Sequence, residues 1–206
     1  MALNAHRTFI QVKEKIYLGP NYIRIIFDCA DVEKFKHTSI GDNNKIFIPR
    51  HDQTTIEIPD FDFNQRKWIV SNPEMMPEIR TYTHRDIDLV NKTLTIEFAL
   101  DGTDTVACHW ADRAQPGDQI GVTMSTAAKN SIPTGLNHYL IITDGTGLAV
   151  TQAILEKLTA DAKVYVIAEV ATVEDQIELH TQADLEQTWL FNPNPLQQSL
   201  LADELL

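Results

Sequence analysis

The sequence changes character near residue 132, and this change limits the folds that the chain can adopt. Before that point, short runs of β-branched and aromatic residues are separated by Gly, Pro and Asn, which is typical of antiparallel strands that close into a barrel. One helix-like stretch, residues 104–114, interrupts these runs. After that point, the apolar runs 138–143 and 163–170 flank a segment with helical spacing. This β-α-β order predicts a parallel sheet covered on both faces.

The chain therefore divides into two predicted domains. Residues 1–131 form the predicted antiparallel β-barrel, and residues 132–206 form a small α/β domain. Within the barrel, the polar and aperiodic stretch 51–67 is predicted to be a surface loop.

Composition excludes several classes of function. Acidic residues outnumber basic residues by 29 to 17, a net charge of −12, and such a surface repels nucleic-acid phosphates and anionic lipids. No run approaches the roughly 20 apolar residues of a membrane helix, and residues 1–11 do not resemble a signal peptide. Two cysteines, Cys29 and Cys108, exclude a disulfide framework, although they could form one bridge. We therefore expect no nucleic-acid partner, no membrane and a cytoplasmic location.

The stretch Arg80-Thr81-Tyr82-Thr83 combines groups that suit a particular kind of ligand. Arg80 and Tyr82 are two positions apart on a predicted strand, so their side chains share one face. A guanidinium can bind a diphosphate, a phenol can lie against a planar ring, and the hydroxyl of Thr83 can bind a ring nitrogen or carbonyl. The alternative is an ordinary strand with an exposed arginine and a half-buried tyrosine.

A second informative stretch covers residues 97–111, where a predicted strand runs into a glycine turn and then a helix. The helix start at Val106 presents free N–H groups and the positive end of the helix dipole, which favour a diphosphate. Thr105 is the predicted N-cap. The alternative is a helix that only connects two barrel strands, with Trp110 as a core anchor.

Taken in chain order, these stretches resemble the siderophore-interacting proteins, which are FAD-dependent ferric-siderophore reductases of the ferredoxin–NADP reductase superfamily. The matching residues cover most of the chain and are Lys45-Ile46-Phe47-Ile48-Pro49, Arg80-Thr81-Tyr82-Thr83 with Arg85 and Asp88, Phe98-Ala99-Leu100 with Gly102, Ala107 with Trp110-Ala111, Pro116-Gly117-Asp118, Asp144 and Thr146 with Leu148, Glu169-Val170-Ala171, and Thr188-Trp189-Leu190. The resemblance implies an FAD-binding barrel followed by an α/β domain similar to NAD(P)H-binding domains.

The resemblance also implies a role for individual residues. Tyr82 would stack on the isoalloxazine and Thr83 would hydrogen-bond near its reactive N5, which makes them the expected catalytic residues. Lys45 would attract an anionic ferric chelate, and Lys129 could replace a basic residue that the family usually carries after the last barrel strand. The implied cofactor-binding residues are Arg80 at the diphosphate, Thr81, Tyr82, Thr83, Glu97, Phe98, Ala99, Leu100, Asp101, Val106, Ala107 and Cys108, with Asp144 and Thr146 at the nicotinamide side.

Some positions depart from the family pattern. Asp101 stands where histidine is usual, which adds a negative charge near the diphosphate, and Thr105-Val106 replaces Gly-Pro. Family members continue for a further strand and helix beyond the position of Leu206, so we expect a shortened α/β domain with an incomplete NAD(P)H site. FAD binding is thus a firmer expectation than NAD(P)H oxidation.

The sequence therefore predicts a flavoprotein oxidoreductase that passes electrons from NAD(P)H through FAD to the Fe(III) of a ferric siderophore or other ferric chelate, releasing Fe(II). One alternative is a shortened FAD- or siderophore-binding module with little or no NAD(P)H-driven turnover. Another is a reductase that a partner protein supplies with electrons. No protein metal site is predicted, because none of the seven histidines pairs with another ligand at a suitable spacing.

Overall fold

The computed structural model describes residues 5–50, 53–100, 105–129, 132–133, 135–194 and 197–204. The strands within these ranges are β1 (Ala5–Gly19), β2 (Tyr22–Asp28), β3 (Asn43–Ile48), β4 (Asp60–Asp62), β5 (Lys67–Ile69), β6 (Glu78–Asp88), β7 (Thr93–Ala99), β8 (Gln119–Ser125), β9 (His138–Asp144), β10 (Lys163–Val170) and β11 (Asp184–Phe191). The helices are α1 (Val106–Arg113), α2 (Leu148–Leu155) and α3 (Leu201–Glu204), with short 3₁₀ segments at Val32–Phe35, Pro73–Met75, Gly145–Gly147 and Val173–Asp175. None of the helices in the described ranges has the length and apolar content needed to cross a bilayer.

Six strands close into an antiparallel barrel in the order β1-β2-β7-β6-β3-β8, with β8 paired to β1. Successive residues of a strand point to opposite faces, so alternate apolar residues fill the interior. Ile23, Ile25 and Phe27 of β2 are fully buried there beside Ile96 and Phe98 of β7. The predicted β-barrel is therefore confirmed.

The predicted surface loop 51–67 is wrong in part, because β4 and β5 pair as a short hairpin within and just beyond it. Aromatic packing accounts for the hairpin. The ring of Trp68 lies 5.1 Å from that of Phe61 and 5.3 Å from that of Phe47, which extends from the outer face of the barrel. Aperiodic polar sequence does not show this contact, since Phe47 is distant along the chain.

The second unit is a parallel sheet of order β11-β10-β9. Helix α2 covers one face, where Leu148 and Leu155 pack with Val164 of β10. Leu140 and Ile142 of β9 point to the other face and are 58% and 41% exposed. The predicted coverage of both faces is therefore wrong for this edge strand, because the crossover helix α2 lies on one face only.

Polar contacts hold the barrel against this α/β unit. Arg85 of β6 donates two hydrogen bonds to the carboxylate of Glu156, which follows α2, one of them at 3.1 Å. Asn21 donates to Asp175 from its backbone N–H at 2.6 Å and from its side-chain amide at 2.9 Å. These contacts fix the end of the barrel beside the carboxyl ends of the parallel strands.

Candidate functional site

Arg80 and Tyr82 face the inner side of the barrel wall. In the antiparallel pairing of β6 with β3, Arg80 lies opposite Ile46 and Tyr82 lies opposite Asn44. Ile46 and Asn44 are both buried, and opposite residues of an antiparallel pair point to the same face. The guanidinium and the phenol therefore share one face, as their two-residue spacing predicts.

The barrel wall opens beside this pair. The described pairing of β6 with β7 ends at His84 opposite Ile96, whereas β6 stays paired with β3 as far as Glu78. Tyr82 and Phe98 pack beside this opening with ring centroids 4.6 Å apart and planes tilted by 42°. The gap between β6 and β7 at this point suits a planar ligand placed between the strands.

The guanidinium of Arg80 is held next to its own strand. Its Nη1 donates to Oε2 of Glu78 at 2.9 Å and to the backbone oxygen of Ile79 at 3.0 Å. The Nε of Arg50 lies 3.5 Å from Oε1 of Glu78, so one carboxylate bridges two arginines. Arg50 and Glu78 are absent from the predicted site, although the position of Glu78 two residues before Arg80 places it on the same face.

Helix α1 forms one wall of a cavity of about 280 Å³, and the chain that follows β3 forms the wall opposite. Two arginines, a histidine, an aspartate and a tryptophan line the cavity, so arginines outnumber carboxylates there by two to one. The lining includes Pro49, Arg50, Val106, His109, Trp110, Arg113 and Asp118. Because Arg50 lines this cavity and also contacts Glu78, the carboxylate connects Arg80 to the space beside α1.

The N-terminus of α1 is capped as the sequence predicts. Oγ1 of Thr105 accepts a hydrogen bond from the N–H of Cys108 at 3.3 Å, so this predicted cofactor-binding group is already used by the cap. The N–H groups of Val106 and Ala107 are then the ones placed for an anion. The ring of Trp110 lies 6.0 Å from that of Phe98, so it also anchors the helix on the core.

Glu97 directs its side chain to the outer face of β7. Its carboxylate accepts hydrogen bonds from the hydroxyl of Tyr22 at 2.8 Å and from Nε and Nη2 of Arg24 at 2.8 and 2.6 Å. Burial raises the pKa of Tyr22 well above its ordinary value, and the nearby Glu97 carboxylate adds to the effect. The side chain of Glu97 is thus committed to β2, and that of Phe98 to the core.

A second cavity of about 350 Å³ lies between the barrel and the carboxyl ends of β9 and β10. Open α/β sheets bind ligands at this edge. Ala99, Leu100, Asp144 and Thr146 line the cavity, so the structure brings four of the predicted residues together here. Oδ1 of Asp144 accepts from the N–H and the hydroxyl of Thr146 at 2.9 and 2.6 Å, which shapes the loop after β9.

Carboxylates dominate the charged lining of the second cavity. Asp144, Glu169 and Asp175 line it, and no Lys or Arg is found among its lining residues within the described ranges. Glu169 accepts hydrogen bonds from the hydroxyl of Ser199 at 3.1 Å and the N–H of Leu200 at 2.5 Å. Glu169 and Asp175 are absent from the predicted site, since only the tertiary fold brings their separate segments to one cavity.

The two predicted substrate-binding lysines have different surroundings. Lys45 lies on the outer face of β3 opposite Thr81, and its ammonium group donates to Oγ1 of Thr81. Lys129 lies beyond β8, where its N–H donates to Oγ of Ser39 at 3.1 Å. Thr81 therefore belongs with Lys45 on the outer face, whereas Arg80 and Tyr82 point inward.

Buried polar side chains lie close to Tyr82. His84 is fully buried, with Nε2 2.8 Å from the backbone oxygen of Ser39, and burial lowers its pKa to about 4. Asn44 is only 3% exposed, and neither its Nδ2 nor its Oδ1 has a hydrogen-bond partner among the described residues. An amide in this state offers one donor and one acceptor beside the phenol to a polar ligand.

Two further predictions concern Asp101 and metals. Asp101 lies outside the described residues. Across the ranges that the structure describes, no group of three or more His, Cys, Asp or Glu side chains is arranged to hold a metal ion.

Comparison with known proteins adds independent information. A family profile described as "Siderophore-interacting FAD-binding domain" matches residues 11–128, and one described as "Siderophore-interacting protein" matches residues 136–206. The "Ferric vibriobactin reductase ViuB" of Vibrio cholerae is 27% identical over 184 residues, which is 89% of this chain and 66% of the relative's length.

Solved structures show the same fold. The siderophore-interacting protein SipS from Aeromonas hydrophila superposes with a TM-score of 0.80 at 23% identity, over 98% of this chain and 74% of that one. A siderophore utilization protein from T. fusca gives a TM-score of 0.78 at 24% identity, over 91% of this chain and 70% of that one. The barrel followed by an α/β unit is therefore a shared architecture.

The buried His84 predicts how stability depends on pH. The pKa of His84 is about 4 in the folded chain, and its ordinary value is 6.5. Between these two pH values the imidazole binds a proton in the unfolded chain but stays neutral in the folded chain. Stability should fall as pH drops from 6.5 towards 4. Between pH 7 and pH 5, the wild type should lose about 2 kcal/mol more unfolding free energy than His84→Gln, measured by urea denaturation. Equal losses in the two proteins would refute the assignment.

Proposed function

Because the chain belongs to the siderophore-interacting protein family, we propose that it is an FAD-dependent oxidoreductase that reduces ferric siderophores. In the proposed reaction, NAD(P)H donates a hydride, its two electrons reduce two Fe(III) to two Fe(II), and one proton is released. The ferric reductase activity named for the Vibrio cholerae relative supports this reaction type. The observation that carries the proposal is the placement of Arg80 and Tyr82 on one face, beside the opening between β6 and β7.

The residues at this opening fit FAD. Tyr82 offers a phenol ring to the isoalloxazine, and the amide of Asn44, without a partner in the described part of the chain, offers a donor and an acceptor to a polar ring edge. Arg80 would bind the diphosphate, and the first-turn N–H groups of Val106 and Ala107 would face the same group. A planar, phosphorylated ligand uses all of these features at once.

The remaining predicted residues complete the proposed cofactor site. Backbone groups of Thr81 and of residues 97–100 would hold the ribityl and adenosine parts, and Thr83 would hydrogen-bond near the reactive N5. When bound, FAD supplies the conversion of a two-electron hydride donation into single-electron transfers. The protein's part is to fix the ring plane through Tyr82, to hold the hydrogen bond at Thr83 and to exclude water from one side.

We propose that the substrate is a ferric siderophore or another ferric chelate with negative charge. Lys45 presents an ammonium group on the outer face of β3, close to the strand that carries Tyr82, and Lys129 adds a second positive charge beyond β8. Positive side chains attract an anionic chelate against the overall negative charge of the protein, which raises the rate of encounter.

The second cavity is the proposed nicotinamide side, with Asp144 and Thr146 shaping its loop. Its three carboxylates, and the absence of Lys or Arg from its described lining, favour a second candidate: an FAD- or siderophore-binding module with little NAD(P)H-driven turnover. Phosphate groups of a dinucleotide are repelled by such a lining.

We also propose that residues 1–131 and 132–206 act as separate domains and that the protein works in the cytoplasm. Neither Cys29 nor Cys108 forms a disulfide within the described residues, which is compatible with a reducing compartment.

Reduction of the bound flavin tests the proposed function. Protein reconstituted with FAD should be yellow, and anaerobic addition of NADPH or NADH should bleach the flavin absorbance. Dithionite serves as the control that the bound flavin can be reduced. Bleaching by dithionite alone would favour the binding module or a reductase fed by a partner protein. Failure to retain FAD would exclude both reductases and an FAD-binding module, and would leave only a siderophore-binding module.

Arg80→Ala should weaken FAD binding, because it deletes a charged contact to the diphosphate. The expected loss is about 1.5–3 kcal/mol, or roughly 10- to 100-fold in Kd, measured by quenching of flavin fluorescence. Arg66→Asn is a matched control, since it removes one positive charge at a turn with a φ of 51°, a conformation that Asn tolerates. An Arg80→Ala Kd equal to that of the control would contradict the assigned role.

Lys45→Ala should leave FAD affinity unchanged and slow the reduction of an anionic ferric chelate. We expect about a two- to fivefold loss in kcat/KM at low ionic strength, shrinking as salt screens the charge. Lys163→Ala is the charge-matched control, because Lys163 lies at the amino end of β10, the central strand of the parallel sheet. If both variants reduce the chelate at the same rate, Lys45 has no part in substrate attraction.

A further inference from the structure

We propose that Glu78 is an internal competitor for the FAD diphosphate, whose carboxylate occupies Arg80 and Arg50 until the cofactor displaces it. This inference rests on the proposed function, in which Arg80 binds the diphosphate. It assigns to Glu78 a part in setting cofactor affinity.

The geometry places one carboxylate between two guanidinium groups. Oε2 of Glu78 accepts from Nη1 of Arg80 at 2.9 Å, and Oε1 lies 3.5 Å from Nε of Arg50. Each oxygen thus serves one arginine. The side chains of Glu78, Arg80 and Arg50 are 29%, 42% and 48% exposed, so an anion arriving from solvent can reach this cluster.

The orientation of Arg80 favours competition over assistance. Its Nη1 is committed twice, to Glu78 and to the backbone oxygen of Ile79, and both partners precede Arg80 along β6. These contacts hold the guanidinium towards the start of β6, on the side of Arg50 and the cavity beside α1. A diphosphate bound between Arg80 and the start of α1 therefore competes with Glu78 for Nη1 of Arg80.

Electrostatics points the same way. Two guanidinium groups and one carboxylate leave the cluster with a net charge of +1, and removal of the carboxylate charge leaves +2. Glu78 also places a like charge next to the phosphate groups, which lowers their affinity. Arg50 lines the cavity beside α1 together with Arg113 and one carboxylate, Asp118, so a released Arg50 is already positioned towards the same anion.

As a consequence, the protein binds FAD less tightly than it would if Arg80 and Arg50 did not contact Glu78. The carboxylate contacts both guanidinium groups, and breaking these contacts opposes cofactor binding. An exposed ion pair is weak, so a diphosphate with bidentate contacts can displace the carboxylate.

The test compares Glu78→Gln with Glu74→Gln, an exposed neighbour whose substitution changes the net charge equally. The full chain is titrated with FAD and, separately, with inorganic pyrophosphate. Glu78→Gln should bind both ligands about three- to tenfold more tightly, and its Kd should rise more steeply with salt than that of the wild type. Glu74→Gln should bind like the wild type. Glu78→Asp, which keeps the charge but shortens the reach to the arginines, should give an intermediate affinity.

Two results would overturn the inference. Weaker binding by a folded Glu78→Gln would mean that Glu78 orients Arg80 for the ligand, and an unchanged Kd for both ligands would mean that the carboxylate has no influence. Failure of the proposed function is distinguishable, because the wild type would then bind no FAD. In that case the pyrophosphate titrations would still show whether Glu78→Gln binds this ligand more tightly than the wild type does.

Discussion

The gap between β6 and β7 on the N-terminal side of His84 is the constraint on which the rest of the site depends. A closed barrel satisfies the backbone of every strand on both sides. Here β6 pairs with β3 from Glu78 to Thr83, whereas its pairing with β7 begins only at His84, which lies opposite Ile96. Residues 80–83 therefore stay in the wall through their pairing with β3 and border the gap between β6 and β7. A fixed wall beside such a gap suits a large planar cofactor.

Two cavities lie on either side of this region and differ in charge. The one beside α1 is lined by Arg50, His109 and Arg113, whereas the one at the parallel sheet is lined by carboxylates. The contacts between Arg85 and Glu156 fix the barrel against the α/β unit and so place the second cavity next to β7. The proposed FAD site therefore has a cavity with two arginines on its diphosphate side and a carboxylate-lined cavity on its nicotinamide side.

Much of this architecture follows from local patterns. The short β-branched and aromatic runs before residue 132 predicted the barrel, and the apolar runs 138–143 and 163–170 predicted the parallel sheet. The two-residue spacing of Arg80 and Tyr82 predicted their common face. The cap at Thr105 followed from residue type and position. Such features depend on neighbours within a few residues along the chain, so a single sequence carries them.

Other features were not predictable in this way. The hairpin of β4 and β5 depends on a contact between Trp68 and Phe47, and the engagement of Glu97 depends on Tyr22 and Arg24, whose partners are distant in sequence. One face of β9 is exposed because α2 covers only the other face of the sheet. An apolar run in the sequence does not show how many faces of its strand are covered.

The sequence by itself determined that a barrel of short strands precedes a β-α-β unit, and it determined the family resemblance and the side of β6 on which Arg80 and Tyr82 lie. Only the tertiary structure decided that Glu78 and Arg50 join Arg80, that Glu97 turns away from the opening and that carboxylates gather at the second cavity. The physical reason is that strand periodicity is a property of consecutive residues. The partner of a charged side chain, by contrast, is chosen by whichever distant segment the closed barrel brings within hydrogen-bonding distance.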